Sequence, residues 1–247
     1  MDNARAPRTA GVRRLLVAGG AAVIVAASAV GVGAYSYLKP TAPESAPITV
    51  VPITTMNAND SSAVDPNGST LYAIESGASE ATFTIDEVLN GSPKTVVGTT
   101  DQVSGQAAFD PFDPSSLQIG TILIDARTLQ TDDSSRTRVL NNQILSTGQY
   151  EYISLTPTSL TGLPDSVTIG QPFTFQLTGD LTIRDTTQPA TFDVTATLNP
   201  DGTLNGTATS TIQYADWGVS IPSVPFVASV GDQVVLGLDF NVTTAQG

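Results

Sequence analysis

Phe173-Thr174-Phe175-Gln176-Leu177-Thr178-Gly179-Asp180-Leu181-Thr182-Ile183 alternates apolar with polar side chains on both sides of a Gly-Asp pair. Successive side chains of a strand point to opposite faces, so this period of two describes strands with one face buried. Gly179-Asp180 reads as a turn signal between two such strands. The same period recurs before and after it. Ala81, Phe83 and Ile85 alternate with Thr82, Thr84 and Asp86. Phe192, Val194, Ala196 and Leu198 alternate with Asp193, Thr195 and Thr197. Leu236, Leu238, Phe240 and Val242 alternate with Gly237, Asp239 and Asn241. Asn90-Gly91 and Asp201-Gly202 add further turn signals. The chain from residue 70 to 247 is therefore expected to be one all-β domain.

One stretch departs from the pattern. In Asp132–Leu145, DDSSRTRVLNNQIL, an Asp or Ser can cap a helix, and Val139, Leu140 and Ile144 follow at near-helical spacing. A short helical lid over one end of the sheet is expected there. A sheet of about eight antiparallel strands must hide its edges, and closure into a barrel does so completely. An eight-stranded barrel has room for packed side chains or for one small ligand. Periodicity leaves a filled barrel, a hollow barrel and a two-sheet sandwich open.

The N-terminal part is of a different kind. Leu15–Leu38 is an uncharged, apolar run of 24 residues. As a helix it would rise about 36 Å, enough to cross a hydrocarbon core of about 30 Å. Arg5, Arg8, Arg13 and Arg14 precede it, and Tyr35 and Tyr37 stand near its far end. Basic residues stay on the cytoplasmic side, which places residues 1–14 inside and the β-domain outside. The expected localisation is the cell membrane, single-pass, with the C-terminal domain extracytoplasmic. A cleaved signal peptide would instead give a secreted domain. The length of the run favours the anchor. Residues 39–69 carry Pro at 40, 43, 47, 52 and 66 and read as a semi-extended Pro/Thr/Ser-rich linker.

Composition removes several chemistries. The chain has no Cys and no His. Disulfides, a Ser-His-Asp triad, a Cys nucleophile and a His- or Cys-ligated zinc are excluded within one chain. No lipobox Cys can carry a lipid anchor. Beyond residue 40 only Lys94, Arg127, Arg136, Arg138 and Arg184 oppose 22 acidic residues. Such a surface does not suit nucleic acid, whose phosphates need cations.

Five segments then carry a resemblance. Gly179-Asp180-Leu181-Thr182-Ile183-Arg184-Asp185-Thr186-Thr187-Gln188-Pro189 fits the pattern G-x-L-T-I-x-G-x-T-x-P at all but one place. Val103-Ser104-Gly105-Gln106-Ala107-Ala108-Phe109-Asp110 is followed by Pro111 and Pro114. Asp125-Ala126-Arg127-Thr128-Leu129, Ser135-Arg136-Thr137-Arg138-Val139-Leu140 and Asp216-Trp217-Gly218-Val219 follow the same order. Together they resemble the YceI-like family from about Ser69 to Val242. Asp185 replaces a family glycine, Tyr214 stands where an Arg is common, and the histidines of the opening strands are missing. These departures bear on head-group contacts more than on the fold.

The resemblance implies a lipocalin-like extended antiparallel β-barrel with an elongated apolar cavity that binds polyisoprenoid chains, such as isoprenoid quinones or polyprenyl phosphates. It implies envelope lipid or quinone transport, storage or a stress response, and no enzymatic activity. The cavity-lining candidates are Phe83, Ile85, Phe109, Ile122, Ile124, Phe173, Phe175, Leu177, Leu181, Ile183, Phe192, Val194 and Trp217. Arg136 and Arg138, in the lid, are candidates for a head group, since a phosphate wants such cations. No cofactor or metal is expected beyond a bound isoprenoid. The expected partners are that ligand and the membrane; the sequence names no protein partner. A rival reading is an envelope adhesion or protein-interaction module with a filled β core. A carboxylate hydrolase is a third, but no acid pair has a spacing that points to it.

Overall fold

The computed structural model of the protein describes residues 69–223 and 227–245. The anchor and almost all of the linker expected above lie outside these residues. Among the described residues no helix is long and apolar enough to cross a membrane.

The strands are β1 (Thr70–Ile74), β2 (Glu80–Leu89), β3 (Ser92–Thr100), β4 (Val103–Ser104), β5 (Gln106–Asp110), β6 (Asp113–Ile119), β7 (Ile122–Asp125), β8 (Gln130–Thr131), β9 (Tyr152–Thr161), β10 (Pro172–Ile183), β11 (Thr186–Leu198), β12 (Leu204–Gln213), β13 (Val227–Val230) and β14 (Gln233–Thr244). Short interruptions group them into eight runs: β1–β2, β3–β5, β6–β8, β9, β10, β11, β12 and β13–β14. Pairing between runs is antiparallel throughout. The first run pairs with the second through β1/β5 and β2/β3. The second pairs with the third through β3/β8, β4/β7 and β5/β6. The third meets β9 through β7, and β9, β10, β11, β12 and β14 follow in order. β14 then returns to β1 and β2. The ladder thus closes on itself, and its backbone donors and acceptors meet within the wall.

The wall is uneven. β10 and β11 share a ladder from Pro172↔Thr197 to Ile183↔Thr186. β3/β8 and β4/β7 are joined by only two pairs each. A long curled half therefore faces a half assembled from short segments.

Burial follows the sequence period. In β10, Phe175, Leu177, Leu181 and Ile183 are buried, while Thr174, Gln176 and Asp180 lie on the other face. In β11 the buried series is Ala190, Phe192, Val194, Ala196 and Leu198.

The expected turn at Gly179-Asp180 is not there; the strand runs straight through. The phase explains it, because position 179 takes an inward slot in step with 177 and 181. A bulge against β9 brings the neighbouring backbone close at this point. A Cβ at Gly179 would lie 2.8 Å from the Thr156 carbonyl oxygen and 2.9 Å from Leu155 Cδ1. Glycine is there for close approach, not for reversal. The reversal comes at Arg184-Asp185, between Ile183 and Thr186, with Arg184 at φ 60°. The other two turns sit as expected. Asn90 and Gly91 have φ 51° and 78° between β2 and β3, and Gly202 has φ 83° between β11 and β12.

The expected lid forms. Helix α1 (Ser134–Val139) is capped by Asp133, whose side chain accepts from the Arg136 backbone N–H. A wider helical turn continues over Leu140–Ile144.

Gly179→Ala forces the bulge apart and is expected to cost about 1–3 kcal/mol of folding stability. Chemical denaturation checks this; an unchanged midpoint would mean that β9 yields freely.

Candidate ligand-binding cavity

The inward faces of the runs are apolar, but they do not fill the barrel. Two apolar chambers lie inside, of about 410 Å³ and about 100 Å³. Ile122, Leu177, Ala208 and Leu238 line both and form a waist between them. The larger chamber alone is within the size range of small-molecule sites, about 300–1,000 Å³.

The sequence candidates divide between the two. Phe83, Ile85, Ile124, Leu181, Ile183 and Phe192 line the larger chamber. Phe109, Phe173, Phe175 and Val194 line the smaller. Phe173 links a ring series, with centroids 6.1 Å from Phe109 and 6.1 Å from Phe175 and the rings nearly parallel. Trp217 lines neither chamber. It is buried beside the β11–β12 wall, where its indole N–H donates to the Leu181 carbonyl at 2.8 Å. A buried indole needs such an acceptor, and that fixes it as a brace of the wall.

Sequence reasoning passed over Tyr72, Ala208, Ile212, Leu236 and Leu238 as lining residues. Burial pushes the Tyr72 phenol above its ordinary pKa, so it stays neutral in the chamber wall.

The lid covers the larger chamber with Ser135, Arg136, Val139, Leu140, Ile144 and Leu145. Arg184, at the tight turn below, donates weakly to the Ile144 carbonyl at 3.4 Å and lies over the Tyr150 ring at 5.8 Å. Arg127 donates from Nε to the Thr147 carbonyl at 3.0 Å. It also approaches the Glu151 carboxylate at 2.9 Å, as an ion pair outside hydrogen-bonding geometry.

The two lid arginines part company. Arg138 is not in the chamber lining. Arg136 is, and its Nη2 donates to Glu87 Oε1 at 2.9 Å. Its other arm pairs with Asp132, which also takes the Lys94 ammonium at 2.8 Å. Glu87 was overlooked in the sequence, although the signal was present. The inward series Ala81, Phe83, Ile85 continues in phase to position 87, where a carboxylate occupies an apolar slot. Among the described residues Glu87 and Arg136 are the charged side chains of the chamber lining.

This arrangement of barrel, hollow interior and lid coincides with the reach of a family model, the YceI-like domain, which matches residues 72–242. The chain belongs to the YceI-like family. Two solved structures show the same fold. One is Burkholderia cenocepacia BcnA, with 18% identity and TM-score 0.53, covering 69% of this chain and 99% of that one. The other is a polyisoprenoid-binding domain from Saccharophagus degradans implicated in plant cell wall breakdown, with 11% identity and TM-score 0.56, covering 70% of this chain and 98% of that one. No curated protein matches the chain. Within this YceI-like domain, Gly179 to Pro189 supplies one side of the wall, and the Ser135–Leu140 segment supplies the lid.

The lid is held in part by an exposed charge network. The hydrogen bond from Lys94, helped by the charge of Arg136, holds the Asp132 carboxyl below the usual Asp range. A lowered folded-state pKa gives a contribution that is complete above the unfolded value of about 3.9 and is lost as pH falls through the lowered one. Amide exchange over Ser134–Ile144, corrected for intrinsic rates, is therefore expected to speed up below about pH 4. The idea fails if the same acid step persists in Asp132→Asn.

Proposed function

We propose that the protein is a membrane-tethered, extracytoplasmic binding protein that holds an isoprenoid or other lipid-like chain inside its barrel. It transports or stores such lipids in the cell envelope, and no bond is made or broken. The hollow apolar interior carries this reading: lined almost entirely by carbon, it suits a hydrocarbon chain and offers few polar groups to anything else. Removing apolar surface from water is worth about 25 cal/mol per Å², or about 0.8 kcal/mol per buried CH₂. A prenyl chain can thus gain affinity here without hydrogen bonds, and chamber length and the groups at the lid set selectivity. Family membership and the polyisoprenoid-binding relative support the ligand class. The tether and the outward placement rest on the uncharged run Leu15–Leu38 and the arginines before it. An interaction module would be served by a filled core, and the chambers are at odds with that.

The full chain, purified in a non-ionic detergent and extracted with organic solvent, is expected to yield a stoichiometric polyprenyl species by mass spectrometry. Protein that extracts clean, and takes up no prenyl lipid when it is offered, would remove the proposal. A second outcome follows from the waist. Ala208→Leu narrows the passage between the chambers, so the recovered lipids should shift to shorter chains while the fold is kept. An unchanged mass distribution would show that the smaller chamber takes no part.

A further inference from the structure

We infer that the larger chamber selects uncharged isoprenoids, prenyl alcohols and quinones, over anionic prenyl phosphates, and that Glu87 is the selecting residue. This rests on the cavity being a lipid site. Arg136 looks at first like a phosphate clamp, but its charge is already matched. One arm is bonded to Glu87 and the other to Asp132. Lys94, the nearest other cation of this network, is bonded to the same Asp132. Two cations thus face two carboxylates.

A phosphate reaching Arg136 would have to displace one of them. Glu87 is the one inside, with only 8% of its side chain exposed. It stands near the end of β2, with Lys94 of β3 opposite it on one side and Val230 of β13 on the other, so its backbone is held between two strands while its side chain faces inward. Displaced, it would leave two anions side by side in an apolar chamber, where repulsion is least screened. The excess of acid over base beyond residue 40 adds repulsion at long range.

An uncharged head group meets neither obstacle. A carboxylate accepts more than one hydrogen bond, so a prenyl hydroxyl can donate to Glu87 while Arg136 stays in place. A guanidinium has five N–H donors, so a quinone carbonyl can accept from Arg136 without evicting either acid. The charged pair then serves as a neutral polar patch at the end of a hydrocarbon chamber.

The test offers the full chain, in non-ionic detergent, an equimolar mixture of geranylgeraniol and geranylgeranyl monophosphate. The protein is repurified and the retained lipids are quantified by mass spectrometry. The wild type is expected to keep the alcohol over the phosphate by about tenfold or more. In Glu87→Gln the internal anion is gone, and the ratio should narrow to a few-fold at most. Circular dichroism reports whether that variant folds; if it does not, Asp132→Asn frees the other arm of Arg136 from an exposed site and should narrow the ratio in the same direction. A wild type that retains the phosphate as well as the alcohol overturns the inference but leaves the lipid site standing. So does a ratio that no folded variant changes. Retention of neither lipid overturns both this inference and the reading on which it rests.

Discussion

The hydrogen-bond ladder that joins β14 back to β1 and β2 is what allows the interior to be empty. The runs pair their backbone groups largely with their neighbours, so the main-chain hydrogen bonds of the wall do not draw on the inside. Most side chains pointing inward can then be apolar. An open sandwich of the same strands would have to pack its two faces together at about 10 Å and would leave no chamber. Closure, rather than any single apolar contact, makes space for a guest.

The lid is built on different terms. Its apolar residues Leu140, Ile144 and Leu145 pack on the core, while its outer attachment is ionic: exposed Asp132 takes Lys94 and Arg136, and Arg136 reaches inward to the buried Glu87. Exposed ion pairs are individually weak and are screened by salt. The wall beneath is held by long ladders and buried rings. Salt and acid therefore loosen the outer edge of the cover before they reach the container.

How far the sequence reached can be seen residue by residue. The period of two placed nearly every inward side chain of β10, β11 and β14, because a strand offers only two faces and one must be apolar. It also held the signal for Glu87, which an expectation of apolar lining passed over. Gly179-Asp180 misled because Gly-Asp marks turns and also marks places where two backbones approach. Only the bulge against Thr156 and Pro157 separates these uses, and that contact is tertiary. Trp217 misled for a related reason: a large buried aromatic fits a cavity wall, and its bond to the Leu181 carbonyl could not be seen from spacing. The separation of Arg136 from Arg138 was out of reach too, since a short irregular helix does not reveal which of its faces looks inward.

The pairing of the first strand with the last has a further meaning in time. Tyr72 is opposite Thr244, so the seam unites segments at opposite ends of the domain. Such non-local pairing is slow, because the whole intervening chain must be brought into place before the contact rewards it. During synthesis from the N-terminus, β1 and β2 wait with one edge bare until β14 arrives. Through that interval the chain is an open sheet with an apolar face and an unpaired border, the state most exposed to aggregation and to helper proteins. The container can hold nothing until its final stave is set.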